Sequence, residues 1–168
     1  IILGSSTSSA YVAAELGLPY SFATHFAPAM AEEALSIYRK HFKASKYLDE
    51  PYFILGVLAH GADTDEEAEK LYTIAQQGSI RLLREEKGLY PLADEKFEEN
   101  LNLSSAEKIF LKSRMGINLM GSKETMTKIW KEVKAKFDPD EVIAVSYMPK
   151  LEELEKSYRI LKEVIENK

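Results

Sequence analysis

The alternation of apolar and polar positions divides the chain into short apolar runs and longer amphipathic stretches. Ile1–Leu3 reads as the end of a strand. From about Ser8, Val12 and Leu16 with the alanines between them suit a short helix, and Gly17 stands where a left-handed C-terminal cap belongs. After Pro19, "YSFATHF" predicts a second strand. From Pro28, "APAMAEEALSIYRKHF" predicts a helix with Met30, Ala34, Ile37, Tyr38 and His41 at helical spacing. Following Pro51, "YFILGVLA" is almost wholly apolar, as in a strand buried on both faces. A long helix follows, with Thr64 as N-cap and Glu67 three residues on, the capping-box pattern. Lys87 to Leu103 has turn residues and weak periodicity and predicts an excursion over the surface. Two helices are expected from near Ser104 and Ser122, then a fourth strand in "DEVIAVSYM". The closing helix "PKLEELEKSYRILKEVIEN" has Leu151, Leu154, Tyr158, Leu161 and Ile165 on one face.

Strand and helix thus alternate four times, which predicts parallel strands joined by right-handed crossovers. Four such units form either a small doubly wound sheet or half of a (β/α)8 barrel. The abrupt apolar start favours the half barrel and suggests a chain cut from something longer. No internal repeat or low-complexity tract is evident.

Composition narrows the function classes. The 168 residues carry 22 Lys and Arg against 27 Asp and Glu, a net charge of -5, with the basic residues scattered among acidic ones. That is not the concentrated basic surface a nucleic-acid-binding protein needs. Without cysteine there is neither a disulfide framework nor a thiolate zinc site, which fits a reducing cytoplasm. No apolar run approaches the roughly 18 residues of a membrane span, and no basic region marks a signal peptide.

In parallel α/β folds ligands sit at the C-terminal ends of strands. Four segments arrive there: "GSSTSS", "THFAP", "HGADTD" and "SYMPK". In the first, Gly4 permits close approach of a ligand to the backbone, and the following N–H groups lie at a helix N-terminus, where the macrodipole favours an anion. The hydroxyls of Ser5, Ser6 and Ser9 add donors without charge; helix capping is the competing use of the same residues. His25 follows the second strand and His60 the third, both in position for proton transfer near neutral pH or for structural hydrogen bonds. His41 falls late in a helix, where it assists the C-terminus. The three histidines share no short motif, so no metal site is expected. Asp63 and Asp65 suit helix capping better than a catalytic carboxylate pair. Ser146 and Tyr147 are open candidates at the end of the last strand.

"LGSSTSSAYVAAELGLPYSFATHFAP", "DEPYFILGVLAHGADTDEEAEKLY", "MGSKETMTKIWKEV" and "DEVIAVSYM", in that order, resemble the C-terminal half of bacterial luciferase-like, flavin-dependent monooxygenases. The resemblance is collinear over nearly the whole chain. It implies strands five to eight of a (β/α)8 TIM barrel, in one partial domain over residues 1–168, with extra helices between the last two strands from about Gly88 to Phe137. It also implies that the segment after the first strand helps hold the FMN phosphate, which falls on Gly4, Ser5, Ser6 and Ser9, and that Thr24 and His25 lie near the flavin ring. The family uses reduced FMN and O2 to oxidise a small organic substrate; some relatives use a deazaflavin. A flavin reductase fed by NAD(P)H is the implied source of reduced cofactor.

Several flavin contacts and the residues credited with oxygen chemistry belong to the other half of the barrel, so this chain alone is expected to be inactive. Two further readings stand beside the monooxygenase: a non-catalytic flavin-binding protein, and a structural fragment that only self-associates. Open strand edges and uncovered apolar faces lead to the expectation of a homo-oligomer.

Overall fold

The computed structural model describes residues 1–114 and 117–166. The chain divides into two compact units, Ile1–Val57 with Glu132–Val145, and Leu58–Lys131 with Ser146–Lys168. The described residues form five strands where four were expected, and every strand pairing with an assigned register is parallel.

In the first unit, β1 (Ile2–Gly4) pairs with β2 (Tyr20–Ala23), Gly4 opposite Phe22, and β2 pairs with the start of β3 (Phe53–Gly61), Tyr20 opposite Phe53. β2 stops at Ala23, so Thr24, His25 and Phe26 form a turn and not the end of a strand. Between these strands lie α1 (Thr7–Leu16), a 3-10 turn (Pro28–Met30) and α2 (Ala31–His41). The buried side of α1 is Ala10, Ala13 and Ala14, while Val12 and Leu16 face outward. On α2 the buried residues are Ala31, Ala34, Leu35 and Tyr38; Met30 and His41 are exposed, contrary to the expected face. Small residues bring backbones close enough for one aromatic to clasp both sides. The buried Tyr38 hydroxyl lies 2.9 Å from the Leu18 carbonyl and accepts the Tyr52 N–H at 3.0 Å. Gly17 caps α1 at φ 59°, a conformation that costs a side chain dearly. A Cβ there would also meet the Lys43 carbonyl at 2.4 Å.

β5 (Glu141–Val145) pairs with β3. Asp140 fixes its start twice over: its N–H donates to the Phe53 carbonyl at 2.9 Å, and its carboxylate accepts the Phe53 N–H at 2.7 Å. Arg39 donates to the carbonyls of Phe137 and Asp138, at the last residue of α6 (Lys123–Phe137), where a cation also favours the helix dipole.

In the second unit, the end of β3 pairs with β4 (Asn118–Gly121), a short strand that its sequence "NLMG" did not announce. α3 (Asp65–Leu83) starts with Thr64 Oγ1 accepting the Glu67 N–H at 3.1 Å, while the Glu67 carboxylate reaches back to the Asp63 N–H at 3.2 Å. Asp65 works on a different helix. Its carboxylate accepts the Ser122 N–H at 2.6 Å and the Thr125 hydroxyl at 2.8 Å at the start of α6, and these bonds hold its pKa below the usual carboxylate value.

The stretch 87–103 is better anchored than its weak periodicity implied. It contains α4 (Phe97–Asn100), and Phe97 and Leu103 are buried with Ile80 of α3 and Leu111 of α5 (Ser105–Arg114). Gln77 donates to the Leu92 carbonyl at 2.8 Å, and Arg84 bonds Glu107 at 2.6 Å.

The closing helix α7 (Leu151–Glu166) buries Ser157, Leu161 and Val164, whereas Leu151 and Tyr158 are exposed at 68% and 40%. The buried face is thus rotated from the expected one by about one position. Its centre is polar for a reason: Ser157 Oγ accepts the Gly61 N–H at 2.9 Å, a donor at the end of β3. Replacing Ser157 with Ala leaves that buried donor unpaired, a loss of about 1–3 kcal/mol of unfolding free energy. Urea titration of the variant should show it as a lower midpoint at unchanged slope.

His60, expected beyond the strand, lies inside β3 with no exposed surface, its ring 5.3 Å from that of Tyr72 and nearly perpendicular to it. Burial depresses its pKa to about 4. The unfolded chain therefore binds a proton on His60 from about pH 6.5 downward while the folded chain does not. The neutral ring's contribution is intact above that pH, is lost as pH falls toward 4, and amounts to ~3 kcal/mol in full. Unfolding measured between pH 7 and 4 should show this slope in the native chain and a shallower one in His60→Phe.

Candidate functional site

Two of the four segments singled out at strand ends lie side by side in the first unit. β1 and β2 are parallel and paired, so Gly4–Ser6 and Thr24–His25 leave the sheet at neighbouring C-terminal ends.

The first of them is a tightly shaped loop. Ser6 is the N-cap of α1, in extended conformation, and its Oγ accepts the Ser9 N–H at a long 3.5 Å. Ser9 turns back on the loop: its Oγ donates to the Ser6 carbonyl at 2.7 Å and lies 3.0 Å from the Tyr20 hydroxyl. The Tyr20 hydroxyl, reaching over from β2, donates to the same carbonyl at 3.1 Å. Burial outweighs the Ser9 hydrogen bond and raises the Tyr20 pKa, so the phenol keeps its proton. This packing requires Gly4, because a Cβ there would fall 2.1 Å from Ser9 Oγ.

Within the set Gly4, Ser5, Ser6 and Ser9, the roles therefore divide. The Ser9 hydroxyl is spent on shaping the loop, Ser6 is exposed at the cap, and Ser5 and Gly4 are half-buried. α1 has no acidic residue in its first turn, and the N–H groups that open a helix lack intrahelical partners. The result is an uncharged collar of donors around a positive helix end, with Gly4 keeping side-chain bulk away. Chemically, a helix N-terminus of this kind suits an anion.

Thr24 is fully buried, and its hydroxyl donates to the Gly56 carbonyl at 2.6 Å, alongside its N–H at 3.0 Å. Its proton serves the neighbouring strand. His25 is half-buried, its ring 4.3 Å from that of Phe26.

In the second unit, Asp63 pairs with Lys156 at 2.6 Å, and Asp65 caps α6, so neither behaves as half of a catalytic pair. Ser146 donates to the Ala59 carbonyl at 2.5 Å, and Tyr147 stacks on Tyr90 at 5.5 Å. Among the described residues no three His, Cys, Asp or Glu side chains gather as a metal site, and no helix is long and apolar enough to cross a membrane.

Tyr20 is the contributor that sequence reading missed. It reads as an ordinary strand aromatic, and only the β1–β2 register shows its hydroxyl under the Ser6 carbonyl.

No family model matches the chain. Among curated proteins, the uncharacterized protein YddN of Bacillus subtilis (strain 168) is 38% identical over 165 residues, covering 98% of this chain and 48% of that protein. A protein of Escherichia coli (strain K12) named luciferase-like monooxygenase is 35% identical over 142 residues, 84% of this chain and 42% of its own length. Among solved structures, that of apo-MsnO8 matches with a TM-score of 0.84 at 28% identity, covering 99% of this chain and 50% of that one. The oxygenating constituent of 3,6-diketocamphane monooxygenase from Pseudomonas putida is a type II Baeyer–Villiger monooxygenase solved with FMN. It shares the fold at a TM-score of 0.54 and 14% identity, covering 98% of this chain and 45% of that one. The chain spans about half the length of the curated relatives it matches. Carried by the relative named luciferase-like monooxygenase, 35% identical over 84% of this chain, and by a fold shared almost end to end with apo-MsnO8, the conclusion is that the chain belongs to the luciferase-like monooxygenase family.

Proposed function

We propose that this chain is the C-terminal half of the (β/α)8 barrel of a cytoplasmic flavin-dependent monooxygenase, and that its part in the reaction is to hold the FMN phosphate. The observation that carries this reading is the α1 N-terminus: a helix opening without acidic residues behind a glycine that has no room for a side chain. The N–H groups of the first turn and the hydroxyls of Ser5 and Ser6 would bind the phosphate. Ser9 and Tyr20 would hold the Ser6 carbonyl turned away from it, since a carbonyl oxygen facing a phosphate is repulsive. Thr24 and His25, at the adjacent strand end, would border the ring system. When bound, reduced FMN supplies the electrons with which O2 is activated toward a small organic substrate. A reductase drawing on NAD(P)H would supply that reduced flavin. Catalytic turnover by the whole protein would need the residues of the other half of the barrel, leaving this chain a binder and not a catalyst.

The phosphate is what separates FMN from riboflavin, so comparing the two isolates this loop from the rest of the flavin site. Titration followed by flavin fluorescence should show tighter binding of FMN than of riboflavin. Ser6→Ala should cost FMN on the order of ten-fold in affinity. Tyr20→Phe, which keeps the ring, should cost a few-fold, and neither change should alter riboflavin binding. Equal binding of the two flavins by the unaltered chain would exclude a phosphate role for the loop. Failure to bind either flavin would leave the chain a structural fragment.

The chain is further proposed to self-associate. β1 is the outer strand of its sheet; Leu3 along it is 70% exposed and Ile1 just before it 73%. An open strand edge lined with apolar side chains invites pairing with another chain. Sedimentation at micromolar concentration should give a dimer or larger species; a folded monomer near 19.0 kDa would contradict this.

A further inference from the structure

The second unit contains a group of polar side chains to which neither the fold nor the flavin reading gives a task. In the β3–β4 register Leu58 lies opposite Asn118 and His60 opposite Met120. Side chains alternate along a strand, so Leu58, His60, Asn118 and Met120 share one face. Tyr72 of α3 reaches the same place twice: its ring lies edge-on to that of His60 at 5.3 Å, and its hydroxyl accepts the Asn118 Nδ2–H at 2.9 Å. His60 and Tyr72 are buried, at 0% and 5% exposure. Among the described residues, both ring nitrogens of His60 and Oδ1 of Asn118 are buried without a hydrogen-bond partner.

Buried polar atoms in folded proteins nearly always have partners, from the protein or from bound water. A neutral imidazole offers one N–H and one lone pair, and Asn118 Oδ1 offers a second acceptor. Tyr72 accepts from Asn118 and still has its own proton to donate. At any one point the cluster can therefore offer one imidazole nitrogen, Asn118 Oδ1 and the Tyr72 O–H, three uncharged partners. A water molecule can donate to the two acceptors and accept from the tyrosine, and buried waters in proteins typically make about three such bonds.

We propose that His60, Tyr72 and Asn118 form a binding site for a single ordered water molecule, held between β3, β4 and α3. An ion is a poor occupant, because the three side chains supply no counter-charge; burial keeps the imidazole itself neutral at physiological pH. Water donating to Asn118 Oδ1 and to the bare nitrogen of His60 would also select one tautomer of the ring. The site would then keep a histidine fixed in proton arrangement at the C-terminal end of a parallel strand, the end at which such sheets do their chemistry.

Two measurements on the full chain near pH 7 test this. Long-range ¹H–¹⁵N correlation of the histidines should show His60 as a single neutral tautomer whose unprotonated nitrogen has a hydrogen-bonded shift. Oxygen-17 relaxation dispersion of the solvent should show a long-lived water whose contribution disappears in Asn118→Leu and in His60→Phe. A free-nitrogen shift for His60 would overturn the proposal. So would dispersion that is the same in the native chain and in either folded variant. If neither variant folds, the native chain's spectrum and the electron density at this site decide. Density bonded to His60 and Asn118 supports the site, whereas a direct His60–Asn118 hydrogen bond removes the need for it.

Discussion

The backbone of β3 is the constraint from which most other features of this chain follow. All nine of its residues are buried, so each N–H and C=O must find a partner inside the protein. Its neighbours are short: β2 and β4 have four residues each and cover different parts of it. At Phe53 both backbone groups are taken by Asp140. At the other end, Gly61 donates to Ser157, and the Ala59 carbonyl accepts from Ser146. Side chains thus complete what the ladder leaves open. That is why a polar residue, Ser157, occupies a buried position in α7.

The same requirement explains what could and could not be read from the sequence. β3 itself was plain, because eight apolar residues after a proline leave little else to choose. The caps were plain too: Thr64 with Glu67, and Gly17 after an alanine-rich run, act on neighbours in the chain. β4 was not, because "NLMG" has no alternation of its own and becomes a strand only by pairing with Leu58–Gly61. The face of α7 was misjudged for a related reason. Hydrophobic spacing pointed to Leu151 and Tyr158, but the helix is turned so that Ser157 meets an unpaired N–H some 96 residues away in sequence. That Gly4, Ser5 and Ser6 lead into a helix capped by a serine was legible. The division of labour that assigns Ser9 and Tyr20 to shaping the loop depends on strand register.

That division bears on specificity. A loop of hydroxyls and amides with no lysine or arginine binds an anion only if its geometry is held, because it has no full charge to compensate for a poor fit. Here the hold comes from a buried phenol on the adjacent strand and from a glycine against which Ser9 packs. Preorganisation of this kind lowers the ordering cost of binding. It also makes the shape of the loop depend on Tyr20, a residue of another strand.

Asp65 carries a different implication. It sits in the first turn of α3, where its charge suits that helix's dipole, yet its two oxygens close the N-terminus of α6 through Ser122 and Thr125. A single carboxylate therefore serves two helices whose starts are separated by 58 positions, Asp65 and Lys123. Fraying at the start of α3 therefore weakens the cap on α6. Acid that protonates this one group reaches both helix ends together, and the energetic effects of changes at Asp65 and Thr125 cannot simply add.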